Sequence, residues 1–248
     1  MGMFNEDELA LVDNLLGLGE RAAVGTCLLG TAVFLALMAG IFIPLEGWWP
    51  RHAAPMPARA IALCVGLLFV DVLAMEAIGG ALLDGLASLR PPTRELAGLR
   101  VAATLLLAEL AGYAVHRLMH RVPWLWRFHA VHHAPVHLHW LAAWRQHPVD
   151  FVLHGVVVGL PGVLLGASLA DFAAVVLLRK TYTTFLHANL RWHLPALERW
   201  IATPDYHDRH HSHAPELRDR NFAGMLPVLD RLFGTHAAAP RYPSTIKC

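Results

Sequence analysis

Eight histidines of the chain fall in three short clusters: His116 and His120 in HRLMH, His129, His132 and His133 in HAVHH, and His207, His210 and His211 in HDRHH. On a helix, residues three or four apart share a face, so each cluster is expected to present its imidazoles to one point. Imidazole at that density points to a transition metal. One structural zinc site takes four ligands and is then full, so eight clustered histidines fit two metals. No cysteine stands in the clusters, and such a ligand set suits iron, zinc, copper or nickel. A solvated histidine-rich loop would also scavenge metal, but three separated clusters of one kind are hard to produce that way.

The elements that carry these clusters have a membrane composition. The chain has 248 residues, a mean hydropathy of +0.43 and only 16% charged residues, against about 25% in soluble proteins. A formal charge of +1 and a pI near 7.9 argue against nucleic acid as a partner. Cys27 and Cys64 sit in apolar stretches and Cys248 is the last residue, so no disulfide framework is readable. The first twenty residues are acidic and lack the basic start of a secretory signal, so the apolar stretch after Arg21 is expected to be retained as a helix. No charge occurs between Arg21 and Glu46, which meets the length of a first crossing. A second apolar stretch over 59–87 contains Asp71, Glu76 and Asp84. Its acids either line a cavity or pair with a neighbour, or the helix rides partly at the interface. LRPPTRELAG then breaks the chain.

The pattern predicts a third helix over 99–119, with Glu109, Tyr113, His116 and His120 on one stripe. Residues 151–187 are long enough for two crossings and, with Gly162, Gly166 and Asp171 near the middle, read as a hairpin that brings His187 back beside the clusters. The expected fold is an all-α, multi-pass bundle of about four to five crossings, with a helical cap that holds a histidine-rich dimetal site. Residues 1–98 form a tail and two membrane helices, and residues 99–248 form the region with the chemistry. Arginines crowd 121–145 and 179–247, so the positive-inside rule puts the histidines in the cytoplasm and the N-terminus outside. Compactness and Ala/Leu/Arg richness point to a bacterial inner membrane. Trp124, Trp126, Trp140, Trp144 and Trp192 are expected at headgroup level.

In order, the chain gives ELAGYAVHRLMH, WRFHAVHH, WRQHPVD, FLHANLR, TPDYHDRHH and LDRLFGT. Together these motifs, over 109–235, resemble the sterol desaturase / fatty acid hydroxylase superfamily of membrane-embedded di-iron enzymes. The resemblance implies nine ligands: His116, His120, His129, His132, His133, His187, His207, His210 and His211, with His187 matching the family's intervening histidine. His147 also matches a family motif, but the proline after it suggests a turn, so a structural role is as open as a supporting one. His137 and His139 read as interface or supporting residues. The chain departs from the family pattern at Ala114, at Leu229 and in NFAG, none of which is an implied ligand.

The resemblance implies O2-dependent hydroxylation or desaturation of a lipid, by two iron ions that zinc can replace in recombinant protein. Attack on an unactivated C–H bond needs an oxidant that no side chain provides. Glu109, Asp150, Asp205 and Asp208 are candidates to orient ligand rings. Thr203 and Pro204 carry a helix-start signature just before the third cluster. Arg117, Arg127, Arg209 and Arg231 are expected to meet lipid phosphates or structural carboxylates. No dinucleotide fingerprint or haem domain is readable, so electrons are expected from a ferredoxin or a cytochrome such as cytochrome b5 with its reductase. The competing readings are a zinc-dependent lipid hydrolase or isomerase, without HExxH, and a non-catalytic metal-binding or transport protein.

Overall fold

A computed structural model describes residues 20–53, 55–86 and 97–238. The acidic tail and most of the proline-rich break lie outside them. Helix α1 spans Glu20–Trp48 and α2 spans Ala58–Ala74, continuing through a π-helical stretch, Met75–Gly80, into α3, Ala81–Leu86. Helix α4 is Ala97–Arg121, α5 Pro123–His129, α6 Pro148–Leu164, α7 Leu169–His187, α8 Pro204–His210 and α9 Val228–Leu232. Short 3-10 turns occupy Trp140–Trp144 and Leu197–Arg199. Among the described residues there is no strand, only an isolated bridge between Pro50 and Leu190. The all-α expectation holds.

Among the described residues, three helices are long and apolar enough to cross a membrane: Val24–Trp48, Ala58–Leu83 and Gly98–Arg121. The two that would complete the expected crossings are different in kind. Helix α6 is apolar but has 17 residues, about 26 Å at 1.5 Å per residue, somewhat short of a hydrocarbon core of about 30 Å. Helix α7 has 19 residues and carries Asp171, Arg179 and Lys180. The two form the expected hairpin, turning at Gly166 with φ 65°, a left-handed conformation that glycine adopts without a steric cost. Ser168 and Asp171 then close a capping box on α7. The hairpin is tight at Gly162, where a Cβ would stand 2.8 Å from the Phe172 ring.

All five long elements run between two ends. At one end Arg100, early in α4, pairs with Asp171 at 2.7 Å. At the other, the end of α1, the last turn of α4, α5, the start of α6, the end of α7 and the chain after it form a cap. Met38 and Phe42 of α1, Cys64 and Leu68 of α2, and Trp140, Trp144 and Leu190 of the cap share one core. Two tryptophans therefore depart from expectation: Trp140 and Trp144 are buried, because their turn folds inward to stack on Phe42 and meet Phe34 edge-on. Trp124 and Trp126 are exposed, and Trp192 is half-buried. Cys27 and Cys64 are free thiols. Of the acids in the second stretch, Asp71 is fully buried with neither oxygen hydrogen-bonded, whereas Glu76 is exposed. The π stretch presses Met75 into the bundle, where its sulfur would stand 3.0 Å from a Cβ on Gly155. Such widened turns recur at functional sites.

Candidate metal centre

The nine histidines converge under the cap in two groups. His116, His120, His129, His133 and His210 form one, and His132, His187, His207 and His211 the other. Within each group one nitrogen per ring lies within 4.8 Å of the others. The expectation that each sequence cluster faces one point is corrected here. Only the first cluster does so, since His116 and His120 sit one turn apart on α4. The second sends His129 and His133 to one group and His132 to the other, and the third sends His210 to one and His207 with His211 to the other. Adjacent residues on a helix point about 100° apart, so His210 and His211 at the end of α8 cannot share a target, and His132 and His133 diverge on the turn after α5. Interleaving brings the groups together, with the His133 and His211 rings stacked at 4.2 Å.

The ring nitrogens of both groups are disposed as metal ligands would be. In the first group, His116 Nδ1 donates to the Phe222 carbonyl at 2.8 Å, His120 Nδ1 to Asp219 at 3.1 Å, His129 Nδ1 to Asp150 at 2.9 Å and His210 Nδ1 to the Arg220 carbonyl at 2.8 Å. These bonds fix the tautomer and leave the Nε2 lone pair free. All five Nε2 atoms of that group are buried without a hydrogen-bond partner, an arrangement whose desolvation cost a metal ion would offset. In the second group His187 Nδ1 donates to the Thr183 carbonyl at 2.8 Å, and its Nε2 lies 3.1 Å from Nε2 of both His132 and His207. Tetrahedral ligation with bonds of about 2.1 Å puts neighbouring nitrogens about 3.4 Å apart, close to this spacing. Burial first, and then the neighbouring imidazoles, hold His129, His132, His133, His207, His210 and His211 well below the ordinary imidazole value. The rings are therefore neutral at pH 7, the form that ligates.

The carbonyls that orient His116 and His210 come from a loop that composition does not reveal. Asp219 and Asn221 both have φ 56°, which aspartate and asparagine tolerate better than most residues. The Asn221 side chain holds Ala237 N and Tyr206 O. Asp230, fully buried in LDRLFGT, accepts from Phe222 N and Ala223 N at 2.8 Å, from the Thr235 hydroxyl at 2.7 Å and from the Tyr206 hydroxyl. That motif thus shapes the loop, which aims the two rings. The Thr203 N-cap is as expected: its side chain accepts from Tyr206 N at 3.2 Å, and Pro204 opens α8.

A fatty acid hydroxylase profile matches residues 101–235, more than half of the chain. The chain belongs to the fatty acid hydroxylase family. The chain is also 32% identical, over 146 residues, to an ornithine lipid hydroxylase of Rhizobium tropici, covering 59% of this chain and 44% of that protein. An alkylglycerol monooxygenase of Danio rerio is 31% identical over 129 residues, 52% of this chain and 28% of that protein, and its Homo sapiens counterpart is 27% identical over 126 residues, 51% and 28%. The chain spans less than half the length of these relatives. No solved structure matches it significantly.

The family match starts on α4, and structure outside it reinforces the cap. Glu46 of α1 accepts from Trp140 N and Asn189 N at 2.7 Å, and His139 Nδ1 donates to it at 3.3 Å. Arg51 pairs with Asp205 and Asp208 on α8. Those two carboxylates therefore hold α8 in place and, among the described contacts, bond to none of the nine clustered rings. Glu109 likewise pairs with Arg179 and accepts from Met225 N, so of the four acids expected to orient rings, Asp150 bonds to one of the nine. Asp219 adds a second such carboxylate. Arg209 is buried against Glu198 at 2.6 Å, and Arg231 donates to carbonyls of Glu198 and Arg199. Arg117 donates to the Tyr113 hydroxyl, and Arg127 is exposed. His147 caps α6 by accepting from Val149 N, and His137 stacks on His52 at 4.2 Å, so neither joins a group.

A cavity of about 330 Å³ opens beneath the histidines between α4, α6 and α7. His116 and His129 of one group and His132, His187 and His207 of the other line its top. Its walls include Val158, Phe172, Val175 and Met75, and the polar wall residues His154, Arg179 and Lys180. His154 and Lys180 were not singled out by sequence, because a lone histidine or lysine in an apolar run gives no spacing signal.

Proposed function

We propose that the chain is a membrane-bound, O2-dependent lipid oxygenase with two iron ions. One would be held by His116, His120, His129, His133 and His210, and the other by His132, His187, His207 and His211. When bound, iron supplies the O2 reduction that C–H oxidation requires and that side chains cannot perform. The observation that carries the reading is the cavity: one apolar chamber reaches histidines of both groups, so a single C–H bond can be presented to their seam.

The protein's own work is positioning and exclusion. Asp150, Asp219 and the carbonyls of Arg220 and Phe222 hold four rings in one tautomer. The apolar walls of α6 and α7 exclude water and seat a hydrocarbon chain. Hydroxylation consumes one O2, two electrons and two protons, yielding the alcohol and water; the electrons come from a partner such as a ferredoxin or cytochrome b5 with its reductase. The substrate reaches the cavity from the bilayer of a bacterial inner membrane, with the arginine-rich cap in the cytoplasm. Residues 99–248 carry this chemistry, and the helices before them anchor and brace it. Similarity to a lipid hydroxylase and to alkylglycerol monooxygenases supports this reading. Placement of the histidines at helix ends, away from the bilayer midplane where transporters ligate their cargo, favours it over metal transport.

Lipid profiles of cells with and without the gene, grown under 18O2, test it. A lipid that carries the heavy isotope only with the gene is expected; an unlabelled lipid with an added double bond would make the chemistry desaturation. Unchanged lipids would contradict the proposal.

A further inference from the structure

The cavity wall holds two adjacent cations with different partners. Arg179 is ion-paired with Glu109, whose other oxygen takes Met225 N, so its charge is answered within the protein. Lys180 is not answered in this way. Its ammonium sits 4.9 Å from the centre of the Trp144 ring and 4.7 Å from that of Phe151, and among the described residues it has no hydrogen bond or ion pair. Asp71 is the buried carboxylate whose field acts on it, yet both Asp71 oxygens are themselves unpartnered and Asp71 is not part of the cavity wall. Aromatic faces attract a desolvated ammonium through the ring quadrupole. They do not replace a counter-ion, and buried charges are ordinarily paired.

We infer that Lys180 is a specificity-determining residue: its ammonium receives an acidic oxygen of the bound lipid, a carboxylate or a phosphate, and so sets which carbon stands beneath the histidines. Trp144 belongs to the cap, and Phe151 follows the Asp150 that orients His129, so the ammonium stands in the cavity wall between a ring of the cap and a ring at the start of α6. An acid held there leaves its hydrocarbon chain to the apolar walls.

This inference rests on the cavity being the substrate site, and equilibrium binding separates the two claims because it needs no turnover. Purified, metal-loaded full-length protein in detergent micelles is titrated with radiolabelled palmitate against methyl palmitate, and with dipalmitoyl phosphatidate against dipalmitoylglycerol. The wild-type protein is expected to prefer the acid about tenfold in at least one pair, which identifies the source of the acidic oxygen. Lys180→Gln is expected to abolish that preference and leave the neutral ligands and the metal content unchanged. Equal binding within both pairs by wild type, a comparison that needs no variant, would overturn the inference. So would an acid preference that survives in Lys180→Gln; either result returns the ammonium to Asp71 as an internal pair. Absence of 18O incorporation with the acid preference intact would count against the oxygenase reading alone.

Discussion

A histidine at the end of an apolar helix is ordinarily a core residue, and His187 is buried enough to be one. What sets it apart is the 3.1 Å approach of its Nε2 to two other imidazole nitrogens while its Nδ1 is committed to Thr183. His187→Ala is expected to lower metal from two ions to about one per folded chain, and product formation with it. Full occupancy with near-normal turnover, both read on the folded fraction, would remove His187 from the site. Asp150→Asn keeps the shape but weakens the hold on His129, and is expected to cost 10–100-fold in metal affinity, roughly the range for supporting residues, measured by competition with a chelator. The set of converging histidines was legible from imidazoles at spacings of three and four, which are rare by accident, with His187 added by the motif FLHANLR. Its division between two groups was not, since the direction of a ring such as His132 against His133 depends on the turn after α5 and on what packs over it. Asp219 carries no sequence signal either: an exposed aspartate far along the chain reaches His120 from a left-handed backbone.

At the scale of elements, local signals were readable and inward-folding segments were not. Thr203 and Pro204 announce α8, and the stripe from Glu109 to His120 announces the buried face of α4, because caps and helical periodicity are written in neighbouring residues. The 219–235 loop takes its form from Asp230, whose partners lie up to 24 positions away. Asp230→Ala strands the amides of Phe222 and Ala223, and is expected to destabilise the cap by about 3 kcal/mol or more. It should also lower metal content, because the carbonyls that aim His116 and His210 then shift. Chemical unfolding monitored with metal release checks both; loss of stability with metal retained would mean that the loop does not aim the rings. Tryptophan misled for the same reason of scale: its headgroup preference describes surfaces, whereas the Trp140–Trp144 turn packs into the core with α1 and α2.

For the whole molecule, the helices run between a capped end and a far end, and the capped end holds the nine clustered histidines. The bundle was legible from hydropathy. The number of full crossings was less so, since α6 is short and α7 carries charges that the cavity and the far end use. Six cap histidines held well below the ordinary value of 6.5 make the metal-free protein acid-sensitive. The unfolded chain takes up those protons first, so their contribution is present above about pH 6.5 and is lost as pH falls below it. The melting temperature of apo protein is expected to fall steadily from pH 7 to about pH 5, and a flat profile would contradict the burial of neutral rings. The claim on which the account rests is that nine histidines make two adjacent sites. The direct measurement is iron per folded chain, by mass spectrometry of the metal after anaerobic loading with ferrous iron and removal of loosely bound ions. Two per chain is predicted from the two groups, and one or none in fully loaded protein would contradict it.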